Sequence, residues 1–239
     1  MRMSAVIGHR GAAQLAPENT LAGIRTAHAL GLEWVEMDVV LLGDGQLVIH
    51  HDQAVNRCTN GSGELLSSTL EEIKALDAGV GFSKEFAGEE VPTLKEVIDL
   101  LSELGMGLNL EIKMHKHPVD KLVLPVVEAL KQKSLPDGKL LVSSFDHDAL
   151  KLFHEHMPAI PVAHLFEKLS VDWQEQARKV GAVAINLGQK PLKRSQVQEV
   201  INEGYEVYCY TVNSQSRADE LWSWGVSGVF TDNPKLVIR

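Results

Sequence analysis

Cysteine is almost missing from this chain. Cys58 and Cys209 are the two in 239 residues, far apart and in no metal-ligand spacing. That excludes a disulfide framework and a thiolate metal site, and it fits reduced thiols in a cytosolic protein. Long apolar runs are missing as well. No stretch approaches the roughly 18 residues that span a bilayer. The early run Ala5-Val6-Ile7 is far short of the about 7–15 apolar residues of a secretory signal. A cytoplasmic protein with no membrane partner is expected. Basic clusters are a third absence. Lys and Arg total 23 against 32 Asp and Glu, a formal net charge of −9, with both signs mixed along the chain. A polynucleotide partner needs a basic face or stripe, so no nucleic acid is expected. One phosphate held by one or two local cations stays open.

Against those absences, 44% of the residues are hydrophobic, enough to fill a large core. Apolar runs of strand length alternate with helical stretches. The strand candidates are 5–8, 34–39, 108–112, 140–144, 162–166, 183–187, 206–210 and 228–230. Most are continuously apolar, as parallel strands covered on both faces must be. Between them lie helical signals. Asn19 can cap a helix carrying Leu21, Ile24 and Ala27. Thr93 with Glu96 forms a capping box before Val97, Ile98 and Leu101. Val119, Leu122, Val126 and Leu130 make a further stripe. Strand and helix in this alternation predict a single (β/α)8 TIM barrel over 1–239. An open doubly wound sheet is the competing architecture, but the first turn, Gly8-His9-Arg10-Gly11, is not the GxGxxG such sheets use.

Leu47–His51 does not fit the parallel scheme. It follows Asp38–Leu42 across Asp44-Gly45, a hairpin signal, and so predicts an antiparallel extension after strand two. A two-residue turn there pairs Gly43 with Gln46 and Asp38 with His51. From Gln53 to Val91 the pattern is irregular, with one short helix near Thr69–Leu76. That length predicts an inserted segment over the barrel mouth.

Glu36 and Asp38 are two apart on a strand and share a face. Glu111 and Lys113 repeat that spacing on the next barrel strand. Both pairs fall at carboxyl ends of strands, where barrel active sites are built. His9 and Arg10 end the first strand, and the hairpin brings His51. Three carboxylates on one rim repel one another unless a cation joins them, and oxygen ligands favour Mg2+ or Ca2+. A plain salt-bridge network with Arg10 and Lys113 is the blander use of the same residues. Two histidines with pKa near neutrality suit the two proton transfers of phosphodiester cleavage. His28, His115, His117, His147, His154 and His156 are read as surface residues.

Gly8-His9-Arg10-Gly11, Pro17-Glu18-Asn19-Thr20, Val35-Glu36-Met37-Asp38-Val39, His51-Asp52 and Leu110-Glu111-Ile112-Lys113, in that order and spacing, resemble the glycerophosphodiester phosphodiesterase family, in its cytosolic bacterial form. Ser143-Ser144-Phe145, Tyr210-Thr211-Val212-Asn213 and Phe230-Thr231-Asp232-Asn233-Pro234 extend the resemblance over nearly the whole chain. It implies hydrolysis of small glycerophosphodiesters to sn-glycerol 3-phosphate and an alcohol. It implies one divalent cation on Glu36, Asp38 and Glu111, acid/base histidines at His9 and His51, and phosphate contacts from Arg10 and Lys113. Tyr210 departs from the Trp usual in the family. A lysophospholipase D or sphingomyelinase D-like enzyme would use similar machinery but needs an apolar groove, for which Val80, Phe82 and Phe86 are candidates. A non-enzymatic barrel that binds a phosphate ester is the third reading. Asn56, Arg57, Thr59 and Asn60 are candidate contacts for glycerol hydroxyls. The sequence carries no indication of oligomeric state.

Overall fold

The computed structural model describes residues 2–237. Among these, eight parallel strands close into a barrel. They are β1 (Val6–Gly8), β2 (Trp34–Leu41), β4 (Gly107–Ile112), β5 (Leu140–Ser144), β6 (Val162–Phe166), β7 (Ala182–Gly188), β8 (Glu206–Tyr210) and β9 (Gly228–Thr231). They pair in that order, and β9 and β2 both flank β1. Strand β3 (Leu47–Ile49) lies outside the ring, antiparallel to β2. The helices α1 (Leu21–Ala29), α2 (Leu70–Lys74), α3 (Leu94–Leu104), α4 (Val119–Gln132), α5 (His147–His156), α6 (Trp173–Lys179), α7 (Arg194–Asn202) and α8 (Gln215–Ser223) alternate with the strands. No described helix is long and apolar enough to cross a membrane.

All eight residues of β2 are buried, because helices cover one face and the barrel interior the other. Its inward row runs Trp34, Glu36, Asp38, and register sets Gly107, Asn109 and Glu111 beside them on β4. Trp34 joins Ile7, Leu141, Ala163, Ala184, Tyr208 and Phe230 in an apolar plug inside the barrel. The same rows end in charge at the other rim. Odd and even positions thus separate the outer core from an inner column that is greasy below and ionic above.

Two local expectations change. Thr20, not Asn19, caps α1, its hydroxyl accepting from the Gly23 N–H at 3.1 Å. Asn19 instead sits at φ 57, a left-handed conformation that Asn tolerates. Its side chain donates to Asp38 Oδ2 at 2.8 Å and accepts from the Asp38 N–H at 3.1 Å. The hairpin register is also one residue off. Val39 pairs with Ile49, the strand ends there, and the His50 N–H donates to the Asp38 carbonyl at 2.9 Å. A two-residue type I′ turn requires positive φ at both Asp44 and Gly45, and of the two only Gly45 has it, at φ 85. The loop is therefore three residues, closed by the Leu42 N–H on the Gln46 carbonyl at 2.9 Å. Asp44 stabilises it by accepting from the N–H groups of Gln46 and Leu70.

The segment between β3 and α3 folds as short turns and α2 around its own apolar cluster. Val55, Leu65, Ile73, Ala78 and Val91 pack there on Val40, Leu42 and Val48 of the hairpin. It stands against the hairpin and the first turn of α1, where Glu89 accepts from the Ala22 N–H at 2.9 Å. Both cysteines are free.

The interior plug predicts a sharp steric test. A Cβ on Gly107 would lie 2.4–2.7 Å from the Trp34 indole. Gly107→Ala should cost about 1–3 kcal/mol by overpacking. Gly45→Ala meets no atom within 4 Å and should cost about 1–2 kcal/mol, from the left-handed backbone alone. Trp34→Leu should rescue Gly107→Ala but not Gly45→Ala in urea unfolding. Equal costs unaffected by position 34 would refute the packing argument.

Candidate active site

The loop after β1 is shaped by two close backbone approaches. A Cβ on Gly8 would fall 1.9 Å from the Gly11 carbonyl oxygen, and one on Gly11 would fall 2.7 Å from the Gly23 backbone. Only glycine fits at either place. Between them the His9 N–H donates to the Thr231 carbonyl at 2.8 Å, and the Arg10 N–H to Glu36 Oε2 at 3.0 Å. His9 and Arg10 are thereby turned into the mouth. The residues singled out from the sequence come together here. His9, Arg10, Glu36, His51, Glu111 and Lys113 line one cavity of about 230 Å³, with Asp38 buried behind them.

Charge is unevenly compensated. Lys113 Nζ lies 2.5 Å from Glu111 Oε1 and 3.3 Å from Asp38 Oδ1, and Arg10 Nε lies 3.4 Å from Asp38 Oδ2. Burial pushes the Asp38 pKa up, but Lys113, Arg10 and His51 outweigh it and hold the group below its ordinary value. Burial raises Glu36 well above the carboxylate range, and the charges of Asp38 and Glu111 add to this. Glu111 is raised by burial and by Asp38, with Lys113 opposing. Burial lowers His51, although Asp38 resists.

Each histidine is tethered by a carboxylate. His9 Nδ1 is 2.6 Å from Asp232 Oδ1, and Asp232 is itself held by the Asn213 amide at 2.7 Å. His51 Nδ1 is 2.7 Å from Asp52 Oδ1. Such a pairing at Nδ1 leaves Nε2 for chemistry. For His9 that nitrogen faces Glu36 Oε2 at 3.8 Å. Neither tether was identified from sequence, although Asp52 and Asp232 stand in the quoted motifs. A carboxylate at the end of the last strand was the available signal. Asn109 and Asn186, both buried, and Phe145 with Tyr210, edge to face at 5.9 Å, complete the cavity wall.

Other expectations are corrected. Asn56, Thr59 and Asn60 are spent inside their own segment, on Gly63, Val55 and Asp77. Arg57 is bound to Glu18 and Asp52. His115, His117, His147 and His154 are half-buried rather than on open surface, and His117 Nε2 meets the Leu41 carbonyl at 3.1 Å. His28 and His156 are exposed.

A model of the glycerophosphoryl diester phosphodiesterase family matches residues 9–236. This chain belongs to that family. It is 33% identical over 234 residues to the glycerophosphodiester phosphodiesterase of Caldanaerobacter subterraneus, covering 98% of this chain and 96% of that one. It is 31% identical over 248 residues to a Bacillus subtilis enzyme of the same name, covering 96% and 84%. The structure of an Oleispira antarctica phosphodiesterase in complex with the product sn-glycerol-3-phosphate superposes with a TM-score of 0.93. It is 37% identical, over 98% of this chain and 94% of that one. Against these relatives this family member is matched over nearly its full length.

The donor set fits a hard cation. Glu36, Asp38 and Glu111 each offer an oxygen within 4.8 Å of the others, and all three are buried. Glu36 Oε1 has no hydrogen-bond partner among the described residues. Lys113 and Arg10 serve Asp38 and Glu111, so the salt-bridge network is real, yet it leaves this oxygen unsatisfied. An all-oxygen cluster of this kind could hold Mg2+ or Ca2+.

A folded-state pKa raised at Glu36 has a defined consequence in the metal-free protein. The neutral carboxyl contributes stability that is full below the unfolded value of 4.5 and is lost as pH rises through the folded value. Gln carries no such loss. In EDTA, Glu36→Gln should equal the parent at about pH 4 and exceed it increasingly at higher pH. Its Tm should no longer rise on adding Mg2+ or Ca2+. A variant less stable than the parent at neutral pH would contradict the electrostatic account.

Proposed function

We propose that this chain hydrolyses small glycerophosphodiesters to sn-glycerol 3-phosphate and an alcohol. One observation carries the reading: two carboxylate-tethered imidazoles open onto a single cavity that also holds Arg10, Lys113 and the carboxylate triad. The Oleispira phosphodiesterase, with its bound product, supports the substrate class. Glu36, Asp38 and Glu111 would hold one divalent cation, Mg2+ or Ca2+, and when bound it supplies charge neutralisation for phosphoryl oxygens. Arg10 and Lys113 donate to the same oxygens and add fixed positive charge. One of His9 and His51 takes the proton of the attacking hydroxyl, whether of water or of the substrate's own glycerol. The other gives a proton to the departing alkoxide. Asp232 and Asp52 fix which nitrogen of each ring does this.

A second reading rests on a separate feature. Phe82 and Val80 are exposed, and Phe82 lines a cavity of about 200 Å³ with Ala13, Pro17 and Arg57. That surface could receive an acyl chain, as a lysophospholipase D-like or sphingomyelinase D-like enzyme requires. The mixed polar and aromatic lining of the main cavity favours the small diester.

The substrate test compares glycerophosphocholine with lysophosphatidylcholine. The first should be turned over far better, releasing glycerol 3-phosphate. Preference for the lysolipid, or release of phosphocholine, would defeat the proposal. EDTA and Glu111→Gln should each abolish turnover without unfolding the chain. Full activity under either would remove the cation from the reaction.

The histidine roles are tested separately. His9→Ala and His51→Ala should each lower kcat by about 10²–10⁴-fold. One of the two should recover selectively with a leaving group that needs no proton, such as p-nitrophenolate. Identical responses to leaving-group pKa would show that the two rings do not divide the work.

A further inference from the structure

Arg57 belongs to the segment between β3 and α3, yet its guanidinium ends among the groups that hold the site. Nε donates to Asp52 Oδ2 at 2.7 Å, and Nη2 to Asp52 Oδ1 at 3.0 Å. Nη1 donates to Glu18 Oε2 at 2.7 Å, and Nη2 also to Glu18 Oε1 at 2.8 Å. Each carboxylate has a second partner. Asp52 Oδ1 pairs with His51 Nδ1, and Glu18 Oε1 accepts from Arg10 Nη1 at 2.8 Å. One planar cation is therefore linked, through one carboxylate each, to an imidazole and to a guanidinium that both line the cavity.

We propose that Arg57 is a positioning residue that fixes His51 and Arg10 together, and that the segment carrying it contributes to the reaction by placing it there. The inference rests on the hydrolytic reading above. The backbone of Arg57 is anchored without its side chain. Val55 of the same turn is buried in the apolar cluster, its N–H bonds the Gly63 carbonyl at 3.0 Å, and Ala54 bridges Glu64. The Arg57 side chain is about half exposed, at 48%, so water screens its ion pairs and their contribution to stability is modest beside that of the buried Val55 anchor. Folding thus depends little on this arginine. Catalysis depends on it more, because a misplacement of about 1 Å at a reacting group can cost about 10²-fold. A guanidinium meets two carboxylates with paired donors in one plane, and an ammonium does not. Burial pushes Glu18 up, but the hydrogen bonds of Arg57 and Arg10 outweigh it and hold the group at about 2, ionised and ready to accept from both.

The test uses the cation-loaded full chain and glycerophosphocholine. Asp52→Asn should lower kcat through His51, and Glu18→Gln should raise KM through Arg10. Arg57→Ala should do both, lowering kcat/KM by about 10–100-fold with Tm close to the parent. Arg57→Lys should recover little. Added to the Asp52→Asn/Glu18→Gln pair, Arg57→Ala should cost no more than a further twofold or so. Lys95→Ala, which removes a surface pair with Asp99, is the control. An Arg57→Ala enzyme as active as that control overturns the proposal, as does a loss that persists undiminished on the doubly substituted background, or full rescue by Lys. A second readout needs no turnover. The downfield Nδ1–H proton of His51, identified by its loss in His51→Asn, should broaden or move upfield in Arg57→Ala. An unchanged resonance overturns the positioning role even if the parent cleaves no glycerophosphodiester, which would itself refute the functional reading.

Discussion

Period-two alternation on β2 sets the character of this molecule. Trp34, Glu36 and Asp38 point into the same barrel, so one strand closes the bottom with an indole and crowds the top with carboxylates. Closure forces the neighbours to follow. Register places Glu111 level with Asp38, and β1 must deliver His9 and Arg10 at the same height because it is hydrogen-bonded to both β2 and β9. The site is a consequence of where eight inward rows end.

That gathering is costly in the absence of a cation. Three buried carboxylates face two nearby fixed cations, and the deficit falls on Glu36, which has the strained ionisation and the unpartnered oxygen. A fold selected for stability alone would place apolar groups there. Retaining the charge surplus makes sense where a divalent ion and a phosphate arrive together, each lowering the other's electrostatic cost.

Around this centre the structure fixes the mobile groups by carboxylate tethers. His9 is held from β9 by Asp232, and His51 by its own neighbour Asp52. The insertion from Gln53 to Val91 lends the site the Arg57 side chain, while its apolar residues cover the hairpin. A small independent core thus supports a polar bridge that the barrel strands could not reach.

Much of this was legible in the sequence. The strand positions, the capping box at Thr93 and Glu96 and the convergence of His9, Arg10, Glu36, Asp38, His51, Glu111 and Lys113 follow from periodicity and from where strands end, which are local properties. Tertiary structure decided the rest. The hairpin register depended on a loop dihedral at Gly45 and on Asp44 meeting the Leu70 N–H. Asn19 left its capping role because Asp38 offered it a buried partner. The His9–Asp232 pair joins residues 223 positions apart, and Glu18 meets Arg57 across 39. No local pattern encodes such choices, since a hydrogen bond selects among whatever donors and acceptors closure of the barrel brings within reach.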